Sequence, residues 1–271
     1  MIGQLNRSKH VHFEDGMKIE GSSKAIVGCI ESLMVGLLDH AASGNIPALE
    51  QYANEVFHVA RNRKWYQVQA LVLSILGASY FREGKYQEAL TAFRKSCLLG
   101  REVKNSGDTL GAKIEIEARF AEATVLFARM EYQEASDVYV TAASIATALC
   151  EPLSSMEAFL MASFCQEILD NKSDALLLAK SSWDNAKKMQ DVRPIYSTVA
   201  CLGETLLRLI PFAKWNSDCL ETLCLVPTTA EVEKSMVYML GKDWKIKAAS
   251  VDKLLICEFG FNACERATTK C

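Results

Sequence analysis

The stretch Leu71–Leu98, LVLSILGASYFREGKYQEALTAFRKSCL, limits what this chain can fold into more than any other part of its 271 residues. Small and large residues follow a fixed order in it: Leu76-Gly77, Tyr80, Gly84, Tyr86, Ala89, Phe93 and Ser96. Gly77 and Ala89 carry almost no side chain, so two helices can approach closely where they cross. Leu76, Tyr80, Tyr86 and Phe93 then fill the space around that crossing. Glu83-Gly84-Lys85 supplies the turn between the helices, with Gly84 free to take a positive φ after the first of them. The window predicts an antiparallel helix pair.

The pattern recurs along the chain. If this copy is framed from Ala70, the same frame returns at Ile116, with Ala123, Tyr132, Ala135, Tyr139 and Ala142 in the corresponding places and Glu122 where Leu76 stands. A further copy starts near Met156, with Ala162-Ser163, Ala175 and Ala179. An upstream copy starts near Cys29, with Val35-Gly36, Gly44, Ala48 and Tyr52. A half-copy starts near Tyr196, with Leu202-Gly203 and Leu206, and Pro211 is expected to stop it. The starts lie about 40–46 residues apart. Long helices account for that spacing, and residues Arg101 to Lys113 can lengthen the helices on either side of a turn at Ser106-Gly107-Asp108.

This order of residues resembles the tetratricopeptide repeat, whose standard period is roughly 34 residues. The resemblance implies an all-α fold: a right-handed α-solenoid of antiparallel helix pairs, closed by a helical C-terminal cap. It also implies a concave groove lined by the first helix of each pair. On this sequence the groove positions bring forward Ser74, Ala78, Phe81 and Arg82, then Phe120, Thr124 and Phe127, then Phe164. These are the candidate protein-binding residues, and they make an apolar, aromatic groove with acids toward one end. The carboxylate clamp by which some members of the family hold chaperone tails needs Lys, Asn and Arg. Leu71, Ile75 and Ala78 stand there, which argues against a chaperone-tail co-adaptor.

Composition fits a helical array. Half of the residues are hydrophobic, enough for a long continuous core, while five prolines and 14 glycines are few. No run of 18 apolar residues is present, so no membrane span is expected. The first residues, MIGQLNRSKHVHFEDGMKIEG, hold no apolar core of a secretory signal. The net charge of −3 comes from mixed signs without a basic cluster, which argues against nucleic acid as a partner. Ten scattered cysteines without a CxxC pair read as reduced, small core residues of an intracellular protein, cytoplasmic or nuclear. The organisation expected is a polar N-terminal arm over residues 1–22, a helical array over 23–210 and a C-terminal capping segment over 211–271. In that last segment Thr229 to Leu240 reads as a helix, with Thr228 or Thr229 as its cap and Glu231 and Glu233 near its positive end. The run Asp252 to Phe259 could be helix or strand.

Motifs for catalysis are sparse. His10 and His12 lack further ligands at metal-binding spacing, and no cofactor is implied. Cys165 lies near Glu167 without a paired histidine. Glu115 and Glu117, two apart on a helix, face different ways. Neither GxxxxGKS/T nor GxGxxG occurs. The expectation is a non-enzyme.

Phe81, Phe120, Phe127 and Phe164 admit two readings. They form pockets for an apolar or amphipathic segment of a partner, or they belong to the core or meet this chain's own terminal segments. Two function classes follow. One is a scaffold or adaptor within a multiprotein assembly; the order of elements resembles the N-terminal half of a tetratricopeptide subunit of the anaphase-promoting complex. The other is a client-specific chaperone or peptide-responsive regulator. Residues 26–38, IVGCIESLMVGLL from Ile26 to Leu38, are apolar nearly all round and point to a homodimer or another protein contact.

Overall fold

The structure, a computed structural model, describes residues 23–105, 109–192, 195–213 and 226–245. Among these residues every regular element is helical and consecutive helices pack against each other. The helices are α1 (Ser23–Ala42), α2 (Ile46–Asn62), α3 (Tyr66–Arg82), α4 (Tyr86–Asn105), α5 (Thr109–Ala128), α6 (Tyr132–Ala148), α7 (Pro152–Ile168), α8 (Lys172–Ala186), α9 (Tyr196–Ala213) and α10 (Thr229–Leu240). The crossing residues Gly36, Gly77, Ala123, Ser163 and Gly203 of the odd-numbered helices recur at spacings of 41, 46, 40 and 40 residues. Helices α3 and α7 begin four residues before the frames read from the sequence at Ala70 and Met156, because the crossing pattern marks where helices touch and not where they start. No helix of the described residues is long and apolar enough to cross a membrane.

The small residues stand where the crossing argument needs them. A Cβ on Gly77 would lie 2.9 Å from the Phe93 ring, and one on Gly203 would lie 2.8 Å from Met236 of α10. One on Gly36 would press on the Tyr52 phenol of α2. Ala123 and Ser163 occupy the same place in the third and fourth pairs, both fully buried. Serines fasten the contacts as well as leaving room for them. Ser96 donates to the Ala70 carbonyl at 2.9 Å, and its counterpart Ser182 donates to the Met156 carbonyl at 2.8 Å. Each bond spans 26 residues, so it is a repeat-level feature. Tyr86 departs from expectation. It is more than a third exposed and lies against Phe81, outside the crossing that Phe93 fills.

The turns are alike. Lys64, Gly84, Met130, Cys150 and Asp170 all take φ between 57° and 71°. In each case the following N–H reaches back five residues: Trp65 to Ala60, Lys85 to Tyr80, Glu131 to Leu126, Glu151 to Ala146 and Asn171 to Gln166, at 2.8–3.0 Å. This is the Schellman closure of a helix, and the next helix starts at once.

Even-numbered helices bury one face, as α2 does through Ile46, Leu49, Ala53, Val56 and Ala60. By contrast α5 and α7 are buried over most of their surface, being packed between neighbouring helices. Two glycines that the sequence reading passed over allow α4 and α5 their close contact. A Cβ on Gly111 would press on the Lys104 backbone nitrogen and lie 2.6 Å from the Gly100 carbonyl oxygen. Two ion pairs bridge the same helices: Arg94 to Glu122 at 2.6 Å and Arg101 to Glu115 at 2.7 Å. Both the arginines and the acids are seven residues apart, so the pairs stack along an antiparallel seam.

At the C-terminal side, Pro211 does not stop α9, which continues to Ala213. Proline forfeits one backbone bond, and the helix carries on through it. Helix α10 begins as expected: Thr228 caps it, accepting from the Glu231 N–H at 3.2 Å, while the Glu231 carboxylate accepts from the Thr228 N–H at 2.8 Å. Val232, Met236 and Leu240 face α9 at a four-residue spacing. The expectations for residues 1–22, including His10 and His12, for the turn at 106–108 and for Asp252 to Phe259 lie outside the described residues.

Candidate functional site

The odd-numbered helices lie side by side: α1 touches α3, α3 touches α5 and α5 touches α7. Residues at the same point of each helix therefore form rows. The eight candidate residues do not share one environment. Phe120 is 3% exposed, Thr124 4% and Phe164 8%, so these three belong to the interior. The Phe120 ring meets Tyr139 edge-on at 5.0 Å, and the Thr124 hydroxyl bonds the Phe120 carbonyl at 2.9 Å and the Tyr139 hydroxyl at 3.0 Å. Their burial follows from the position of α5 and α7, which neighbours surround along most of their length. What the groove reading took as lining is, at these positions, packing.

The other five remain at the surface. Ser74 and Ala78 are half-buried on α3, and the Ser74 hydroxyl sits 3.0 Å from that of Ser96. Phe81 and Phe127 are half-buried at equivalent places, one residue before the ends of α3 and α5. Each ring packs on a tyrosine that opens the next helix: Phe81 on Tyr86 at 5.7 Å, and Phe127 on Tyr132 at 5.3 Å. Arg82 donates through Nη2 to the Ala41 carbonyl at the end of α1, at 2.8 Å, and to Ser79 Oγ at 3.3 Å. A cation at a helix C-terminus is well placed against the helix dipole, so Arg82 ties α3 to α1.

Further exposed apolar residues stand at or next to the ends of odd-numbered helices. Met130, 75% exposed, follows Phe127, and Ile168 and Leu169 stand at the end of α7. Phe212 stands at the end of α9 with the Lys172 ammonium 4.2 Å from its ring centroid. Between them Arg208 holds Glu167 with two bonds of 2.6 and 2.7 Å. Ile168 is among the groove positions that the repeat frame marks on α7, whereas Tyr86, Tyr132, Met130 and Phe212 were not singled out from the sequence as binding residues. One signal could have found the two rings. Tyr-Gln-Glu-Ala occurs at Tyr86–Ala89 and again at Tyr132–Ala135, each time five residues after a phenylalanine.

Burial and neighbouring carboxylates shift two titratable groups of the array. Burial, then the hydrogen bond to Glu50 at 2.9 Å and that carboxylate's charge, push the Tyr80 phenol up to about 12, so it stays a donor. Burial, followed by the nearby Glu122 and Glu115 carboxylates, pushes the Cys97 thiol up to about 12. The cysteines of the described residues form no disulfide, and Cys97 and Cys165 are buried. Glu115 is held by Arg101 and Arg119. Among the described residues no group of three or more His, Cys, Asp or Glu side chains is arranged to hold a metal ion.

No protein-family model matches the chain, and no curated protein matches its sequence.

Proposed function

We propose that this chain is a non-enzymatic scaffold or adaptor. In this reading it is a right-handed tetratricopeptide-like solenoid, with α10 covering its last pair. It binds an apolar or amphipathic segment of another protein inside a multiprotein assembly, of the kind that ubiquitin ligases form. One observation carries the reading: the half-buried rings Phe81 and Phe127 recur at equivalent ends of neighbouring helices, each backed by a tyrosine. A ring held by a second ring loses little freedom on binding and still offers a large apolar face. Such anchors supply most of an interface's affinity, and the polar groups around them set register. Ser74 and Ala78 are small enough to let a partner backbone approach. Arg82 uses one nitrogen internally and keeps further N–H donors for a partner's carboxylate or carbonyl. The test is affinity capture of the full chain with mass spectrometry, beside the Phe81→Ala/Phe127→Ala variant. A protein retained by the native chain and lost by the folded variant supports the reading. An identical set of captured proteins sinks it.

A second contact is favoured by a separate observation. On α1, Leu33 and Leu37 are buried against the fold, yet Val35 is 57% exposed and Leu38 36%. This outer stripe within residues 26–38 is proposed as a homodimer contact.

A further inference from the structure

We draw no further inference here: the strongest candidate outside the site already described, the exposed face of α10 that carries Val237 and the 91%-exposed Tyr238, carries nothing because nothing in the structure shows what covers it.

Discussion

At the scale of single residues, the turns hold the clearest unspent stability. Gly84 takes its left-handed conformation without strain, but Met130 takes φ 64° with a side chain attached. A residue with a Cβ is disfavoured there by roughly 1–2 kcal/mol, partly offset by the greater freedom glycine loses on folding. Met130 is largely exposed, so removing its side chain forfeits little packing. Met130→Gly should therefore stabilise the fold by about 0.5–1 kcal/mol, read as a higher urea midpoint with an unchanged slope. A lower midpoint would show that Met130 packs in solution. Tyr80 gives a pH prediction. Its pKa rises from 10.0 to about 12 on folding, so the fold favours the neutral phenol. The stability this contributes is complete below pH 10 and is lost as pH rises through about 12. Cys97 titrates over an overlapping range, so the two are separated by following tyrosinate absorbance. In Tyr80→Phe one late-titrating tyrosine should vanish and the alkaline loss of stability should shrink; an unchanged profile would show that folding does not raise the Tyr80 phenol.

At the scale of elements, the helices were legible because packing at a crossing depends on residue size, which sequence states directly. Gly36, Gly77, Ala123, Ser163 and Gly203 each stand at the crossing position read for them. Helix starts were less legible: Trp65, Glu131 and Glu151 precede their helices without a side-chain cap bond, so no capping residue announces them. The turns at Lys64, Met130, Cys150 and Asp170 were invisible for a related reason, since backbone hydrogen bonding and not glycine closes them. The seam between α4 and α5 holds the element-scale prediction. Glu122 stands where the first-read pair has Leu76, and its side chain is 9% exposed against 47% for Arg94. Arg94→Ala leaves that carboxylate without its arginine and should cost about 1–3 kcal/mol. Adding Glu122→Leu removes the stranded charge and should return stability to about the native level, because the carboxylate is buried although its arginine is not, and a buried charge is often matched by apolar packing. Chemical denaturation of the two variants checks this. A double variant as unstable as Arg94→Ala alone would mean that Glu122 has another role in the seam.

At the scale of the whole molecule, crossing residues that recur every 40–46 residues make the described residues a row of similar helix pairs, and the surfaces that matter are those the row leaves uncovered. Sequence indicated which residues point off a helix, but not how completely the neighbouring helices would enclose α5 and α7. For that reason Phe120, Thr124 and Phe164 read as groove residues and are interior, while Phe81 and Phe127, next to helix ends, stay accessible. The outer stripe of α1 makes one assembly-level prediction. Light scattering of the full chain at micromolar concentration should give a dimer, and Val35→Asp/Leu38→Asp should give a folded monomer. A monomer before mutation removes the contact. The two rings make the other. In Phe81→Ala/Phe127→Ala the affinity for the captured partner should fall by at least about 2 kcal/mol, roughly thirtyfold. The fold should lose less than about 3 kcal/mol, because these rings pack at the margin of the core and, being only partly buried, forfeit less on truncation than enclosed rings do. Phe120→Ala is the counterpart: its ring is enclosed against Tyr139, so it should cost the fold about 3–5 kcal/mol. Isothermal titration against the partner, with urea unfolding of each variant, separates the two effects. If the double variant unfolds as Phe120→Ala does, the two rings are core and the proposed face is lost. If it folds and binds as the native chain does, the partner engages some other surface.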